Sequence, residues 1–219
     1  MLRIFIILFF FTVSLGLPAE ELSFNTADNA TIYANFQPRG SHAVLLAHGA
    51  IFNKESWGKF EQRLLTEDFT VLAIDFRGYN KSTQGDKAQA LYEDILAGVR
   101  FLRQQKNIKQ VSILGASMGA IAAAKASVYA EAGEIDQLIL LSPSRVYKPE
   151  ELKGRLLFIA SEHERLATIL KSSYIKAPEP KSLQLIKGKA HAQHIFKTPQ
   201  AETLTTIIID FLQAASRDK

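Results

Sequence analysis

The chain has 219 residues, 47% of them hydrophobic and 22% charged, which is enough apolar material for one domain with a sizeable core and excludes a disordered chain. A formal net charge of +4 is too mild for the basic footprint of a nucleic-acid binder. The absence of cysteine excludes disulfides, thiol catalysis and a cysteine-ligated zinc.

At the N-terminus Arg3 precedes an almost wholly apolar run, Ile4 to Val13, and the greasy stretch ends near Leu17. That is shorter than the roughly 20 residues a spanning helix needs. Small residues at Ser14 and Gly16 complete the pattern of a signal peptide over residues 1–19, cleaved near Gly16 or Ala19. The expectation is an exported chain, periplasmic or secreted, with no membrane span after processing. An uncleaved N-terminal anchor is the alternative.

Residues 20–219 then read as a single α/β domain. Leu22 to Thr26 and Ala30 to Phe36 are short strands joined by an Asp28-Asn29 turn. Ala43 to Ala47 is a continuous apolar run, as expected of a strand buried on both faces, and it empties into His48-Gly49-Ala50. Trp57, Phe60, Leu64 and Leu65 recur at helical spacing. Phe69 to Phe76 is the next buried strand, followed by a loop, Asp75 to Ser82, and an amphipathic helix over Tyr92 to Leu102. Val111 to Leu114, Gln137 to Leu141, Arg155 to Ala160 and Leu183 to Ile186 are further strands. Helices are predicted over Ala120 to Ala130, near Arg165 to Leu170, and over Pro199 to Ala214, with Pro199 suited to a first turn. Alternation of strands and helices predicts a doubly wound, mostly parallel sheet of about eight strands with helices on both faces and an antiparallel edge. Ligands in such sheets bind beyond the carboxyl ends of the strands.

The stretch Val111 to Gly119, VSILGASMG, places Gly115-Ala116-Ser117-Met118-Gly119 between a strand and a helix and fits G-x-S-x-G. So tight a turn strains the backbone of the serine and leaves no room for a Cβ two residues to either side. A dinucleotide-binding loop is a poor alternative, because Asp136 precedes the next strand instead of ending it. The stretch resembles the nucleophile elbow of the α/β-hydrolases. Further resemblances run from about Leu22 to Ala214.

That resemblance implies Ser117 as nucleophile, a histidine base and a carboxylate in the chain order serine, acid, histidine. His191, after the last strand and flanked by Gly188 and Ala192, matches the family's terminal pattern; His194 is its competitor. His48 reads as a shaper of its loop, while His42 and His163 read as surface residues. Glu164 falls where relatives carry aspartate, with Glu162 as the rival acid and exposed charges at a helix start as the plainer account of both. The implied oxyanion hole is the backbone N–H of Met118 and that of Ala50, or of Ile51. Asp75 to Ser82 resembles the family's Asp-x-Arg-Gly-x-Gly-x-Ser, with Asn80 in place of the second glycine, and is expected to be structural, Asp75 and Arg77 bonding to backbone or to each other.

Many relatives carry a helical lid after the strand that follows the elbow. Only a dozen or so residues separate Leu141 from Arg155, so no cap domain is expected and the site should be open. This favours a serine esterase or thioesterase acting on a small-molecule acyl substrate, with no metal or organic cofactor. A serine peptidase or amidase on the same triad, and a non-catalytic binding protein on the same fold, are the alternatives. Between Lys148 and Lys197 ten Lys or Arg face five Glu, a balance read as a solvated face.

Overall fold

The computed structural model describes residues 19–214. The predicted signal segment, apart from Ala19, and the last five residues lie outside them. Eight strands form one sheet: β1 (Glu20–Asn25), β2 (Thr31–Gln37), β3 (His42–Ala47), β4 (Thr70–Ile74), β5 (Gln110–Ala116), β6 (Gln137–Leu141), β7 (Arg155–Ser161) and β8 (Lys181–Ile186), in the spatial order β1-β2-β4-β3-β5-β6-β7-β8. The hairpin β1–β2 and the pair β2–β4 are antiparallel, and every other pair is parallel. Among the described residues no separate cap domain is present: residues 142–154, between β6 and β7, hold only a short 3-10 turn at Pro149–Glu151.

Five helices cover the sheet: α1 (Gly58–Thr66), α2 (Leu91–Arg103), α3 (Met118–Tyr129), α4 (Ala167–Lys176) and α5 (Ala201–Ala214). The alternation of side chains along β3 divides the core. Leu45 joins Leu72 and Ile113 beneath α2, α3 and α4. Val44 and Leu46 join Val71 and Leu114 beneath α1 and α5. Small side chains let α3 lie close on the sheet, where Ala120, Ala123 and Ala124 are fully buried. Two sequence expectations shift. The predicted short helix near Arg165 begins at Ala167 and runs on to Lys176, and Pro199 sits in the turn before α5, not in its first turn. None of the described helices is long and apolar enough to cross a membrane.

The loop after β4 is fixed by ion pairs in the interior. Arg77 donates from Nη1 and Nη2 to both oxygens of Asp28, at 2.6 and 2.9 Å, and from Nε and Nη2 to Oδ1 of Asp94, at 2.8 and 2.7 Å. It thereby joins the β1–β2 turn, the loop and α2, and it holds the Asp28 carboxyl well below the usual carboxylate range. Asp75 takes the Lys54 backbone N–H and Nζ, both at 2.9 Å, and Nδ2 of Asn80. Asn80 has φ 46°, the left-handed conformation that its family counterpart, glycine, adopts freely. Asp75 and Arg77 thus bond to other side chains as well as to backbone, and not to each other. Replacing Arg77 with Met strands two buried carboxylates. The expected loss is about 3–5 kcal/mol in urea unfolding, with only partial recovery in Arg77→Lys, which lacks the planar fork.

Candidate active site

Ser117 stands between β5 and α3 with φ 53°, a conformation L side chains rarely adopt. The two glycines of the motif permit it. A Cβ on Gly115 would lie 2.5 Å from the Gly119 carbonyl oxygen, and one on Gly119 would lie 2.1 Å from the Ala47 carbonyl oxygen. The Ser117 N–H is anchored on the Leu141 carbonyl at 2.8 Å. Its side chain therefore projects from the carboxyl edge of the sheet.

Three side chains from distant parts of the chain meet there. His191 Nε2 lies 2.8 Å from Ser117 Oγ, and Nδ1 lies 2.7 Å from Glu164 Oε2. The other Glu164 oxygen accepts the Ser142 hydroxyl at 2.5 Å and the Ser161 N–H at 3.0 Å. The acid is thus oriented on both oxygens, and its side chain is nearly buried whereas that of His191 is partly open. Glu162 points elsewhere: it is exposed, 3.8 Å from His163. His194, the competitor of His191, packs its ring against Phe52. Ser142, with φ 51°, is a contributor that sequence reasoning missed; its only signal is its place at the tip of β6, next to the elbow strand.

The loop after β3 sits against the serine. A Cβ on Gly49 would be 3.5 Å from that of Ser117. The Gly49 carbonyl is engaged by His48 Nδ1 at 2.8 Å and by the Phe52 N–H at 2.9 Å. Pinning one side of that peptide fixes the direction of the Ala50 N–H on the other, since the peptide is planar. Met118 opens α3, so its N–H has no carbonyl one turn earlier to bond. The Tyr79 hydroxyl spans both residues, donating to the Ala50 carbonyl at 2.8 Å and lying 3.6 Å from Met118 Sδ. Burial pushes the Tyr79 phenol up, which keeps it a donor. Ile51, the second choice of donor, is 78% exposed.

Gln193 ties this loop to the histidine segment: its Oε1 accepts the Gly49 N–H at 2.7 Å, and both residues are buried. Neither Gln193 nor Tyr79 was legible as part of the site. Each acts through a partner far away in sequence. The remaining histidines fall apart in role. His163 is exposed, as expected, whereas His42 is buried, its Nε2 2.7 Å from Ser112 Oγ, which corrects its reading as a surface residue.

A cleft of about 630 Å³ opens on the Glu164 side of His191, lined also by His163, Arg165, Leu166, Ile169 and Lys189. Among the described residues no group of three or more His, Asp or Glu is arranged to hold a metal ion.

The family model described as serine aminopeptidase, S33, matches residues 38–202. No curated protein matches the chain. Solved structures share the fold. An esterase of Pyrococcus furiosus, Pf2001, has a TM-score of 0.74 at 20% identity over 90% of this chain and 92% of its own. The esterase EaEST of Exiguobacterium antarcticum has a TM-score of 0.73 at 14% identity over 87% of this chain and 98% of its own.

His48 offers a test of the loop. Its Nδ1 donates to Gly49 and its Nε2 accepts the Phe76 N–H at 3.3 Å, which requires the neutral ring; burial lowers its pKa from 6.5. The unfolded chain therefore binds the proton more readily, so stability should fall as the pH drops below about 6.5. Urea unfolding followed from about pH 7 to 5 should show a shallower decline in His48→Asn.

Proposed function

The chain belongs to the serine aminopeptidase, S33, family of α/β-hydrolases, and on that premise we propose that it is a serine hydrolase cleaving carboxylic ester or thioester bonds. The observation that carries the reading is the unbroken hydrogen-bonded line from Ser117 Oγ through both ring nitrogens of His191 to Glu164. A serine hydroxyl is a weak nucleophile until a base within reach takes its proton, and that base must be held in the right tautomer by a third group. In this mechanism Ser117 Oγ attacks the scissile carbonyl carbon while its proton passes to His191 Nε2. Glu164 holds Nδ1–H and offsets the imidazolium charge. The oxyanion receives the N–H groups of Met118 and Ala50. His191 then gives its proton to the leaving oxygen or sulfur, leaving the acyl group on Ser117. Water, losing a proton to the same histidine, releases the acid and restores the serine.

The ester and thioester reading is favoured by the bare connection between β6 and β7, which leaves the site open to exposed acyl groups. The peptidase reading keeps the support of the family's description, so an aminoacyl p-nitroanilide belongs in the same assay. From the sequence pattern at the N-terminus we also propose that the protein acts outside the cytoplasm.

Wild-type protein should hydrolyse p-nitrophenyl acetate and take up a fluorophosphonate label, and Ser117→Ala should do neither. Labelling that persists in Ser117→Ala would reject the nucleophile, and cleavage of the anilide alone would favour the peptidase. Glu164→Gln should lower turnover by on the order of 10⁴-fold while leaving the fold intact. Gln193→Met, which leaves the Gly49 N–H buried without an acceptor, should lower turnover by about 10- to 100-fold with little change in KM.

A further inference from the structure

The cleft beside His191 carries information about the substrate that the triad does not. Two cations flank the catalytic groups along the chain: Arg165 follows Glu164 directly, and Lys189 lies two residues before His191. Both are exposed, both line the cleft, and neither forms a salt bridge with a described carboxylate. Many exposed cations of this protein, Lys59 and Lys109 among them, likewise lack a salt bridge to a described carboxylate; Arg165 and Lys189 differ in that both line the cleft beside His191. Glu164 sets one negative charge against these two positive ones, and its oxygens are turned to His191, Ser142 and Ser161. Leu166 and Ile169 line the same cleft, and Ile169 is among the exposed large apolar side chains. The result is a concave surface with net positive charge and an apolar floor.

Ser117 and Met118 do not line the cleft, so substrate reaches it only by extending past His191, and the chemistry of the triad says which part can do so. His191 must deliver its proton to the departing atom, so the leaving group lies on the histidine side of the scissile carbon. The oxyanion is drawn the other way, toward Met118 and Ala50. Resting on the esterase and thioesterase reading, we propose that the cleft is a leaving-group subsite. Arg165 and Lys189 there select alcohols or thiols that carry an anionic group, such as a sulfonate, carboxylate or phosphate, at the end of a short apolar spacer.

The test compares three thioesters whose thiol release is followed with a disulfide reagent, free of background because the protein has no cysteine. S-acetyl mercaptopropanesulfonate carries the charge on the thiol. S-acetyl mercaptopropanol is neutral. S-succinyl mercaptopropanol carries the charge on the acyl side. Rates are normalised to uncatalysed hydrolysis. At low salt the sulfonate should be preferred over the neutral thioester by about 10-fold in kcat/KM, the size expected of two exposed charge pairs, and the preference should shrink as salt is raised. In Arg165→Glu/Lys189→Glu the ratio should fall to one or below. In Lys59→Glu/Lys109→Glu, an equal change of charge at exposed positions outside the cleft, the ratio should persist.

Hydrolysis of all three without discrimination would overturn the subsite and leave the esterase reading standing. So would preference for the succinyl ester, or a preference that survives the double reversal at Arg165 and Lys189. Hydrolysis of none of them, with no fluorophosphonate labelling, would reject the esterase reading and the subsite with it. Binding to phosphatidylglycerol vesicles that the double reversal abolishes, without any preference among thioesters, would place the anion on a membrane surface and overturn the leaving-group assignment.

Discussion

The architecture depends on one close approach of backbone to backbone. At Gly119 the first turn of α3 passes so near the end of β3 that even a methyl group would meet the Ala47 carbonyl at 2.1 Å. This contact brings the Ser117–Met118 peptide beside the His48–Ala50 loop, so the proposed nucleophile and both proposed oxyanion donors arise from one crossing. Gly115 removes the second obstacle, the Gly119 carbonyl. Ser117 can then be held at positive φ, and the sheet to either side over-determines it, with its N–H locked onto Leu141.

Strain is not confined to the elbow. Ser142 at the tip of β6 has φ 51° and Ala192, directly after His191, has φ 48°. These two also touch, the Ala192 N–H meeting Ser142 Oγ at 3.3 Å. Each strained residue thus lies where a strand or its following segment must turn sharply to present a polar group, and each is held by bonds to another site segment. The geometry of His191 and Glu164 is set by this mutual bracing of β5, β6, β7 and the segment after β8, not by any single loop. The clasps below it are electrostatic. Lys54, with a side chain only 4% exposed, is bound by Asp75 and Glu55, and these partners hold its ammonium well above the ordinary lysine range.

The eight strands and five helices were legible because buried parallel strands write themselves as continuous apolar runs, and because α1, α2 and α5 keep helical spacing. The line from Ser117 to His191 and Glu164 was legible because a tight strand–helix turn restricts which residues can flank a serine, and because chain order narrows the partners. What stayed hidden is what depends on distant pairing. Asp28 reads as a turn former, yet it is half of a bidentate pair with Arg77, whose number is 49 higher. His42 sits before an apolar run and so reads as a surface residue. The β3–β5 pairing, however, sets it opposite Gln110 and turns its ring toward Ser112 and Phe69. Gln193 is an ordinary polar residue in sequence, and only folding delivers it to Gly49. Of the two acidic candidates, the match to the family's aspartate position favoured Glu164 over Glu162, and it is Glu164 whose Oε2 lies 2.7 Å from His191 Nδ1.

The bare connection between β6 and β7 has a consequence for how this scaffold can diversify. Past Ser142 and before Arg155 the chain crosses the rim of the site without supplying any hydrogen bond to Ser117, His191 or Glu164. Lengthening it would leave the line from Ser117 to Glu164 and its braces in register while building a roof over them. What covers the candidate site and what holds it are therefore separable in this protein: one can be rewritten by insertion at a single surface crossing, the other is locked in the sheet.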